Sequence, residues 1–379
     1  MLRLLISFLL LISLTACNSA SQAQTQAQER IFPDLSVEFL DGYELPKQTF
    51  KDTPVGGLSG ITYNPNQGIF YTVSDDRSQY APARFYTLDI NFNNTEIEEA
   101  IIKDVTFLKT EDKEFFAEGT IDAEGITFAP RNTVFISSEG NTNQSINPFI
   151  RRFDIATGNP TETLRLPKRF LLSENSEDEP RGVRNNFGFE SLTINPSGVS
   201  SPNSDSFRVF SATESSLAQD QLPKDSDQLT RVRFLHYVVN PIGQALPIAE
   251  HLYLLDEPPA GTMVQGLTEL LAIQPEGYFL SLERTYGLEG YGGKLFLVAV
   301  GDATDTSGVA SFNADLGDLQ PLRKKLLFDF SELDFDIYNL EGLAIGPRLA
   351  DGSQSLLVIS DDNFREKEPT QLLLFRLNS

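Results

Sequence analysis

The chain has 379 residues and a formal net charge of −23, with 53 acidic against 30 basic side chains. This charge makes nucleic acid and anionic membrane surfaces poor partners for the body of the protein. With one cysteine, two histidines and no tryptophan, the chain forms no internal disulfide, and its composition argues against a histidine-based triad or a thiolate zinc site.

The N-terminus has the pattern of a secretory signal over residues 1–16, in which Arg3 precedes an apolar stretch and small residues precede Cys17. The tetrapeptide LTAC at 14–17 resembles a bacterial lipobox. We therefore predict that Cys17 is lipidated and becomes the mature N-terminus. An ordinary signal peptide followed by a chance cysteine is the alternative.

Residues 17–30, the lipidated cysteine and a small polar stretch, are predicted to be a flexible tether. Residues 31–379 are then expected to form one domain. These features predict export and a lipid anchor on the periplasmic side of a bacterial membrane, with the outer membrane favoured. The membrane would be contacted through the lipid alone.

Short alternating apolar runs, separated by glycine, proline and asparagine turns, fill the rest of the chain and predict an all-β fold. One hairpin pattern recurs five times at intervals of 65 to 76 residues, each long enough for a four-stranded unit. The polar residues that open the hairpins are Ser59, Glu124, Glu190, Gln265 and Glu341.

Two further strand-like runs follow each of the first four hairpins, but a single run, 371–379, follows the fifth. A spare strand at 34–45 precedes the first hairpin, and adding it to the last unit completes a fifth sheet and closes a ring. We therefore predict a single β-propeller of four-stranded blades around a central channel. Five blades are the direct count, and six, with one degenerate blade, are the alternative.

Acidic residues end the second strand of every hairpin. If the first strand of each blade lines the channel, hairpin starts and strand ends converge on one mouth of it, because the two positions lie at the same end of a hairpin. Aligned on the serine-containing turn, the strand-end series is Asp76, Glu139, Glu214, Glu283 and Asp362, with Asp75 and Asp361 beside it and Glu124, Glu190 and Glu341 at strand starts.

Carboxylates crowded at one opening repel each other, by roughly 4 kcal/mol for two charges ~4 Å apart at an effective dielectric near 20. A bound cation reverses this cost, and calcium takes six to eight oxygen ligands in flexible geometry. The scarcity of histidine and cysteine argues against zinc or copper. We predict a calcium-binding ring of acids; the alternative is that individual acids cap turns through hydrogen bonds to the backbone.

Basic and amide groups occur in the same loops. Arg77 and Arg284 each directly follow a strand-end acid, and Arg184 and Asn186 precede the third hairpin. Arginines among metal-binding carboxylates suit an anionic substrate such as a phosphate ester, since a guanidinium offers a bidentate fork and a metal neutralises an oxyanion. The alternative is that these arginines only neutralise neighbouring acids.

Several motifs occur in order: GGLSGITYNP, FYTVSDDR, DAEGI, RNNFGFESL, ERTYG, NLEGLAI and SDDNF. Together they resemble the bacterial family of "esterase-like activity of phytase" domains, which implies a β-propeller related to the calcium-dependent phytases and an exported location. Gln265 departs from the glutamate of the other later repeats. The resemblance singles out Asp75, Asp76, Arg77, Asp122, Glu124, Glu139, Arg184, Asn186, Glu190, Glu283, Arg284, Asn339, Glu341, Asp361 and Asp362.

The leading hypothesis is a monomeric, lipid-anchored, calcium-dependent phosphoester hydrolase acting on a small anionic ester at the channel mouth. Arg77, Arg184, Arg284 and Asn186 would hold the ester, and Glu139, Glu190, Arg77 and Arg284 would act in catalysis. The expected metal ligands are Asp75, Asp76, Glu124, Glu139, Glu190, Glu214, Glu283, Asn339, Glu341, Asp361 and Asp362.

Two alternatives stay open. One is hydrolysis of lactones or carboxylic esters, as in calcium propellers that hold a metal with acids and asparagine; Asn339 and Asn186 would serve there. The other is a non-catalytic lipoprotein whose propeller binds a ligand or partner and uses calcium as a structural staple. A calcium-dependent rise in melting temperature without turnover is the signature of this last reading.

Overall fold

The computed structural model describes residues 31–173, 179–195, 197, 205–223 and 226–378. The predicted signal, Cys17 and the whole of the predicted tether lie outside these residues. Residues Val37–Asn378 form one compact unit. Among the described residues, no helix has the length and apolar character needed to cross a membrane.

The described residues form twenty-two strands and four short 3-10 helices. The strands are β1 Ser36–Leu45, β2 Gln48–Phe50, β3 Thr53–Val55, β4 Leu58–Asn64, β5 Ile69–Ser74, β6 Arg84–Phe92, β7 Ile97–Phe107, β8 Ala123–Ala129, β9 Thr133–Ser138, β10 Phe149–Asp154, β11 Pro160–Thr163, β12 Phe189–Ile194, β13 Phe207–Thr213, β14 Arg231–Val239, β15 Leu246–Leu254, β16 Thr262–Ile273, β17 Tyr278–Gly287, β18 Gly290–Ala299, β19 Arg323–Asp329, β20 Asn339–Arg348, β21 Gln354–Asp361 and β22 Thr370–Asn378. The 3-10 helices span Thr142–Gln144, Lys168–Phe170, Ala218–Asp220 and Phe330–Glu332.

Twenty of these strands form five four-stranded antiparallel blades, and β2 and β3 form a separate hairpin. Blades 1 to 4 are β4–β7, β8–β11, β12–β15 and β16–β19, and blade 5 has the order β1-β22-β21-β20. The first strands of consecutive blades pack against each other around the ring, including β20 against β4. The predicted five-bladed propeller, closed by the N-terminal strand, is confirmed.

Apolar side chains fill the spaces between adjacent blades. Every residue of β8 and β9 is buried, because the faces of these inner strands are covered by neighbouring blades. The outer strand β7 has buried, intermediate and exposed positions. One core cluster, which includes Phe135 of blade 2 and Phe189 of blade 3, shows how consecutive blades share their apolar faces. Core burial of this kind explains how the ring holds together without disulfides.

A β-bulge interrupts the pairing of the first two strands in every blade. A bulge inserts one unpaired residue and re-aims its side chain. In blades 1 and 2 the next residue is glycine, and the reason is steric. A Cβ on Gly60 would lie 2.6 Å from the Glu124 carbonyl oxygen, and one on Gly125 would lie 2.4 Å from that of Glu190. The bulges therefore sit where inner strands approach most closely.

Candidate functional site

Strand pairing places three residues of each blade at one end of the ring, which we call the mouth. The first residue lies opposite the end of the second strand of the blade. The second residue occupies the β-bulge of the first strand. The third residue is at the end of the second strand or directly follows it. The first series is Gly57, Asp122, Gly188, Gly266 and Asn339; the bulge series is Ser59, Glu124, Glu190, Thr268 and Glu341; the strand-end series is Asp75, Glu139, Glu214, Arg284 and Asp361.

This register differs by one residue from the alignment predicted at the strand ends of blades 1, 4 and 5. Asp75 and Asp361, rather than Asp76 and Asp362, match Glu139 in blade 2. In blade 4 the matching residue is Arg284. Successive residues of a strand point to opposite faces, so a shift of one residue sends a side chain away from the mouth.

Eight carboxylates converge at the mouth, and we refer to them as the acidic cluster. Carboxylate oxygens of Asp75, Asp122 and Glu124 lie within 4.8 Å of one another, as do those of Glu124, Glu139 and Glu190. Electrostatic repulsion links Glu190 to Glu214 and Glu341, and Glu341 to Asp361. The cluster comprises Asp75, Asp122, Glu124, Glu139, Glu190, Glu214, Glu341 and Asp361.

The acidic cluster is buried, and burial is the first cause of its raised pKa values. Every member except Asp75 is at most 7% exposed, and the Asp75 side chain is 23% exposed. Burial followed by repulsion from Asp75 and Glu190 raises the pKa of Glu124 well above its usual range. Burial followed by repulsion from Glu214 raises the pKa of Glu139 to about 8. Without a cation, the folded protein therefore disfavours ionisation of these groups.

Two arginines form ion pairs with the acidic cluster. Arg77 donates from Nε to Asp122 Oδ1 at 2.6 Å and lies 3.7 Å from Asp75 Oδ1. Arg284 donates from Nη2 to Glu214 Oε1 at 2.7 Å and lies 3.7 Å from Glu341 Oε1. Burial alone would lower the pKa of each guanidinium, but the carboxylates hold both pKa values above the ordinary range.

Two oxygens at the mouth are buried and have no hydrogen-bond partner among the described residues: Asp75 Oδ1 and Asn339 Oδ1. The amide nitrogen of Asn339 donates to Glu341 Oε1 at 2.6 Å, which orients the amide. Carboxylate and amide oxygens are the ligands that calcium prefers. The donor chemistry of the cluster therefore fits a hard divalent cation, and these groups could hold a metal.

Three of the predicted carboxylate ligands lie outside the acidic cluster. Asp76 forms a fully buried ion pair with Arg84 and accepts a hydrogen bond from the Tyr80 N–H at 2.7 Å. Glu283 accepts from the Tyr253 hydroxyl at 2.6 Å and forms an ion pair with Lys324. These two carboxylates stabilise the outer parts of their blades.

Asp362, the third of these residues, stabilises the loop around Gly57 through hydrogen bonds to backbone N–H groups. It accepts hydrogen bonds from the N–H groups of Gly57 at 2.8 Å and Phe364 at 2.9 Å. It also lies 3.3 Å from the ammonium group of Lys47. Each of its contacts is with a loop or a surface amine, which matches the turn-capping alternative rather than the ring.

Arg184 and Asn186 lie in the loop before blade 3 and differ in their contacts. Arg184 donates to the Ser216 carbonyl oxygen at 2.8 Å and to Ser215 Oγ at 2.9 Å, and burial lowers its pKa while Glu214 partly offsets the shift. Asn186 is exposed and accepts from Arg77 Nη2 at 3.4 Å. The loop therefore reaches the mouth through Asn186.

Sequence reasoning missed two residues of blade 4. Thr268, rather than Gln265, occupies the bulge position and donates to the Leu340 carbonyl oxygen of the next blade at 3.1 Å. The next residue, Glu269, is buried and accepts from the N–H groups of Leu192 at 3.0 Å and Leu270 at 2.9 Å. Its place inside the apolar run GLTELLAI was the available signal.

Comparisons with known proteins give one family match and several similar solved structures. A family model described as phytase-like, esterase-like activity of phytase, matches residues 53–364. An endo-arabinase from Bacteroides thetaiotaomicron is 10% identical, with 89% of this chain and 96% of that chain covered and a TM-score of 0.46. A hypothetical protein from Leishmania major is 11% identical, with 93% and 92% covered and a TM-score of 0.39. No curated protein matches the chain. At these TM-scores, the structural similarities do not support an inference about function.

Proposed function

The chain belongs to the family described as phytase-like, esterase-like activity of phytase, and we propose that it is a calcium-dependent hydrolase of small phosphoric esters. The observation that carries this proposal is the excess of negative charge at the mouth. Eight buried or half-buried carboxylates face two ion-paired arginines, so the ionised site carries an excess of negative charge. A divalent cation would compensate this charge and, at the mouth, would attract an anionic ester.

The proposed calcium ligands centre on Glu124, which belongs to both groups of closely spaced carboxylates. Asp75 and Asn339 contribute the unpartnered oxygens. The other proposed ligands are Asp122, Glu139, Glu190, Glu214, Glu341 and Asp361. When bound, calcium supplies Lewis-acid polarisation of a phosphoryl oxygen and neutralises charge at the reacting group.

The residues of the chain bind and orient the ester and move a proton. Arg77, with its side chain 37% exposed at the mouth, is placed to form a bidentate contact with a phosphate, and Asn186 beside it offers a neutral donor. Arg284 sets positive charge inside the ring. Glu139 or Glu190 accepts the proton of the attacking water, a role for which a carboxylate in a buried site is suited.

The experiment compares phosphoester and lactone turnover on one calcium-loaded preparation of the purified chain. We expect phosphate release from inositol phosphates or generic phosphomonoesters, loss of this activity on chelation, and recovery on adding calcium back. The Glu124→Gln variant should lose most of the activity. If no phosphate is released across a broad pH range, the phosphoesterase proposal is wrong.

Hydrolysis of lactones or carboxylic esters is the second candidate, and Asn339 is the observation that favours it. An amide oxygen that lies among acids and has no hydrogen-bond partner in the described part of the chain suits a single calcium that polarises a neutral carbonyl. Turnover of a lactone with no phosphate release would support this candidate. A rise in melting temperature with calcium and no turnover of either substrate would support the non-catalytic binding protein.

The proposed location rests on sequence alone. The pattern of residues 1–16 and the lipobox-like LTAC support export and a lipid on Cys17 in a bacterial membrane. We further propose that the propeller acts as a monomer and contacts the membrane through this lipid only. Metabolic labelling with a radioactive fatty acid, compared between the natural chain and Cys17→Ser, tests the anchor; equal labelling of both chains would contradict it.

A further inference from the structure

A second polar cleft lies at the end of the ring opposite the mouth. It opens between blades 2 and 3, has a volume of about 740 Å³, and is formed by the β8–β9 turn, the end of β10, β11 and the β14–β15 turn. Its lining includes three arginines, three threonines and two amides, among them Arg131, Arg152, Arg165, Thr163 and Gln244. In a chain of net charge −23, this gathering of guanidinium groups is unexpected.

Arg152 is the buried element of this cleft. The residue is 6% exposed, and its guanidinium packs against two phenyl rings, 5.5 Å from the centroid of Phe135 and 5.6 Å from that of Phe207. Nε donates to Thr133 Oγ1 at 2.7 Å. Packing and hydrogen bonding thus fix the plane of the group before any ligand binds, which reduces the entropic cost of binding one.

Among the described residues, one nitrogen of this guanidinium has no hydrogen-bond acceptor. Nη2 donates to the Pro130 carbonyl oxygen, whereas Nη1 lies 3.7 Å from Glu162 Oε2, beyond hydrogen-bond distance. Burial lowers the pKa of Arg152, Glu162 partly offsets this effect, and Arg131 adds to it. The positive charge of Arg152 is therefore only partly compensated.

The other acid of the cleft is engaged elsewhere. Asp154 Oδ1 accepts hydrogen bonds from the N–H of Thr157 at 2.9 Å and from its hydroxyl at 2.7 Å, within the turn that follows β10. Arg165, which follows β11, also lines the cleft and is exposed. A fixed, buried guanidinium and an exposed one thus border the same space.

We propose that this cleft binds a small oxyanion, carried by a phosphate or carboxylate group, with Arg152 and Arg165 as its charged ligands. A guanidinium presents paired N–H donors in the geometry that both groups accept. Thr163 and Gln244 line the remaining space and suit a ligand whose body carries hydroxyl groups. The site is separate from the acidic cluster and does not depend on the proposed hydrolase activity.

The test is calorimetric titration of the full chain, dialysed free of divalent cations so that no metal at the mouth attracts the anion. Inorganic phosphate and acetate are titrated separately into the natural chain, Arg165→Glu, Arg152→Lys and the control Arg348→Glu. Arg348 is exposed at the end of β20, donates to the Gly352 carbonyl oxygen, and gives the same change in charge.

We expect one binding site in the natural chain, an affinity about tenfold or more weaker in Arg165→Glu, and a smaller loss in Arg152→Lys, which keeps the charge but not the fork. Arg348→Glu should bind as the natural chain does. Tighter binding of phosphate identifies a phosphate ligand, and tighter binding of acetate identifies a carboxylate. Absence of binding at millimolar anion, equal binding by Arg165→Glu, or an equal loss in the control overturns the proposal.

Discussion

Two buried ionic clusters in this propeller differ in charge balance. On the outer side of blade 3, Arg233 is fully buried and donates to both oxygens of Asp220, from Nε at 2.5 Å and from Nη2 at 3.0 Å. Glu250 pairs with Arg233 and lies 3.3 Å from Arg169. Two guanidinium groups thus meet two carboxylates. At the mouth, two guanidinium groups meet eight carboxylates.

This difference distinguishes a structural network from a site. A buried ion pair remains ionised because its partners replace the lost hydration, and such a network needs no further ligand. Where carboxylates outnumber basic groups, the protein itself does not supply enough positive charge to pair with all of them. The fold either protonates them, as the raised pKa values of Glu139 and Glu341 indicate, or binds a cation. We infer that the mouth is built for a cation and that the Arg233 network is built for stability.

The largest expected effect is on the balanced network. Replacing Arg233 by methionine leaves Asp220 and Glu250 buried with less countercharge, which should lower the free energy of unfolding by about 3–5 kcal/mol. Urea unfolding with and without calcium measures this loss. We place no cation in this network, so calcium should stabilise the Arg233 variant no more than it stabilises the natural chain. A larger stabilisation of the variant by calcium would contradict the distinction between the two clusters.

The next effect separates the observed register from the predicted one. Glu124→Gln should weaken calcium binding by about tenfold or more, because it removes a shared ligand, while the metal-free protein keeps or gains stability. Glu283→Gln should instead reduce stability, through Tyr253 and Lys324, and leave calcium affinity nearly unchanged. Calorimetric calcium titration and urea unfolding of both variants measure the two effects. The reverse pattern would favour the register predicted from sequence.

A third effect concerns pH. Burial raises the pKa values of Glu139 and Glu341 to about 8, so the folded state favours their protonated forms. The stability that protonated Glu139 and Glu341 contribute is complete below the ordinary carboxyl pKa and is lost as the pH rises through about 8. The metal-free chain should therefore become less stable between about pH 5 and pH 8, and calcium should stabilise it more at the higher pH.

Urea unfolding across this pH range, in metal-free buffer, measures the slope. The double variant Glu139→Gln and Glu341→Gln is the control, because it removes these two titrating groups while keeping side chains of similar size. Its slope should be shallower than that of the natural chain. Metal-free stability that rises between these pH values would contradict the assignment.

The smallest effect concerns Arg77 at the rim of the mouth. Its side chain is 37% exposed, so solvent screens its ion pairs, and Arg77→Gln should cost about 1 kcal/mol of stability or less. Removing this positive charge should strengthen calcium binding by a few-fold, because less charge competes with the ion. Arg348→Gln, on the opposite end of the ring, should change neither quantity. Weaker calcium binding by Arg77→Gln would count against this role.

The sequence predicted the fold well because blade architecture is repeated. Five hairpins at regular intervals and one displaced strand at 34–45 were sufficient to give the blade number and the closure of the ring. Glu124, Glu139 and Glu190 were predicted at the mouth and are found there. In blades 2 and 3 a single acid ends the strand, so the alignment was unambiguous.

The errors arose from local register. In blades 1 and 5 two acids are adjacent, and side-chain alternation lets only one of them face the mouth. In blade 4 the bulge falls at Thr268, three residues beyond Gln265, because β16 begins earlier than the other inner strands. A bulge shifts the register without a distinctive residue type, so aligning repeats by sequence does not locate it.

The central claim is that the excess of acids at the mouth holds a divalent cation. A crystal structure of the chain grown with millimolar calcium, with diffraction data collected at a wavelength where calcium scatters anomalously, tests it most directly. We expect an anomalous peak about 2.3–2.6 Å from oxygens of Glu124 and its neighbours. A clear map of the mouth with no such peak, or calcium bound elsewhere while these carboxyls remain unligated, would contradict it.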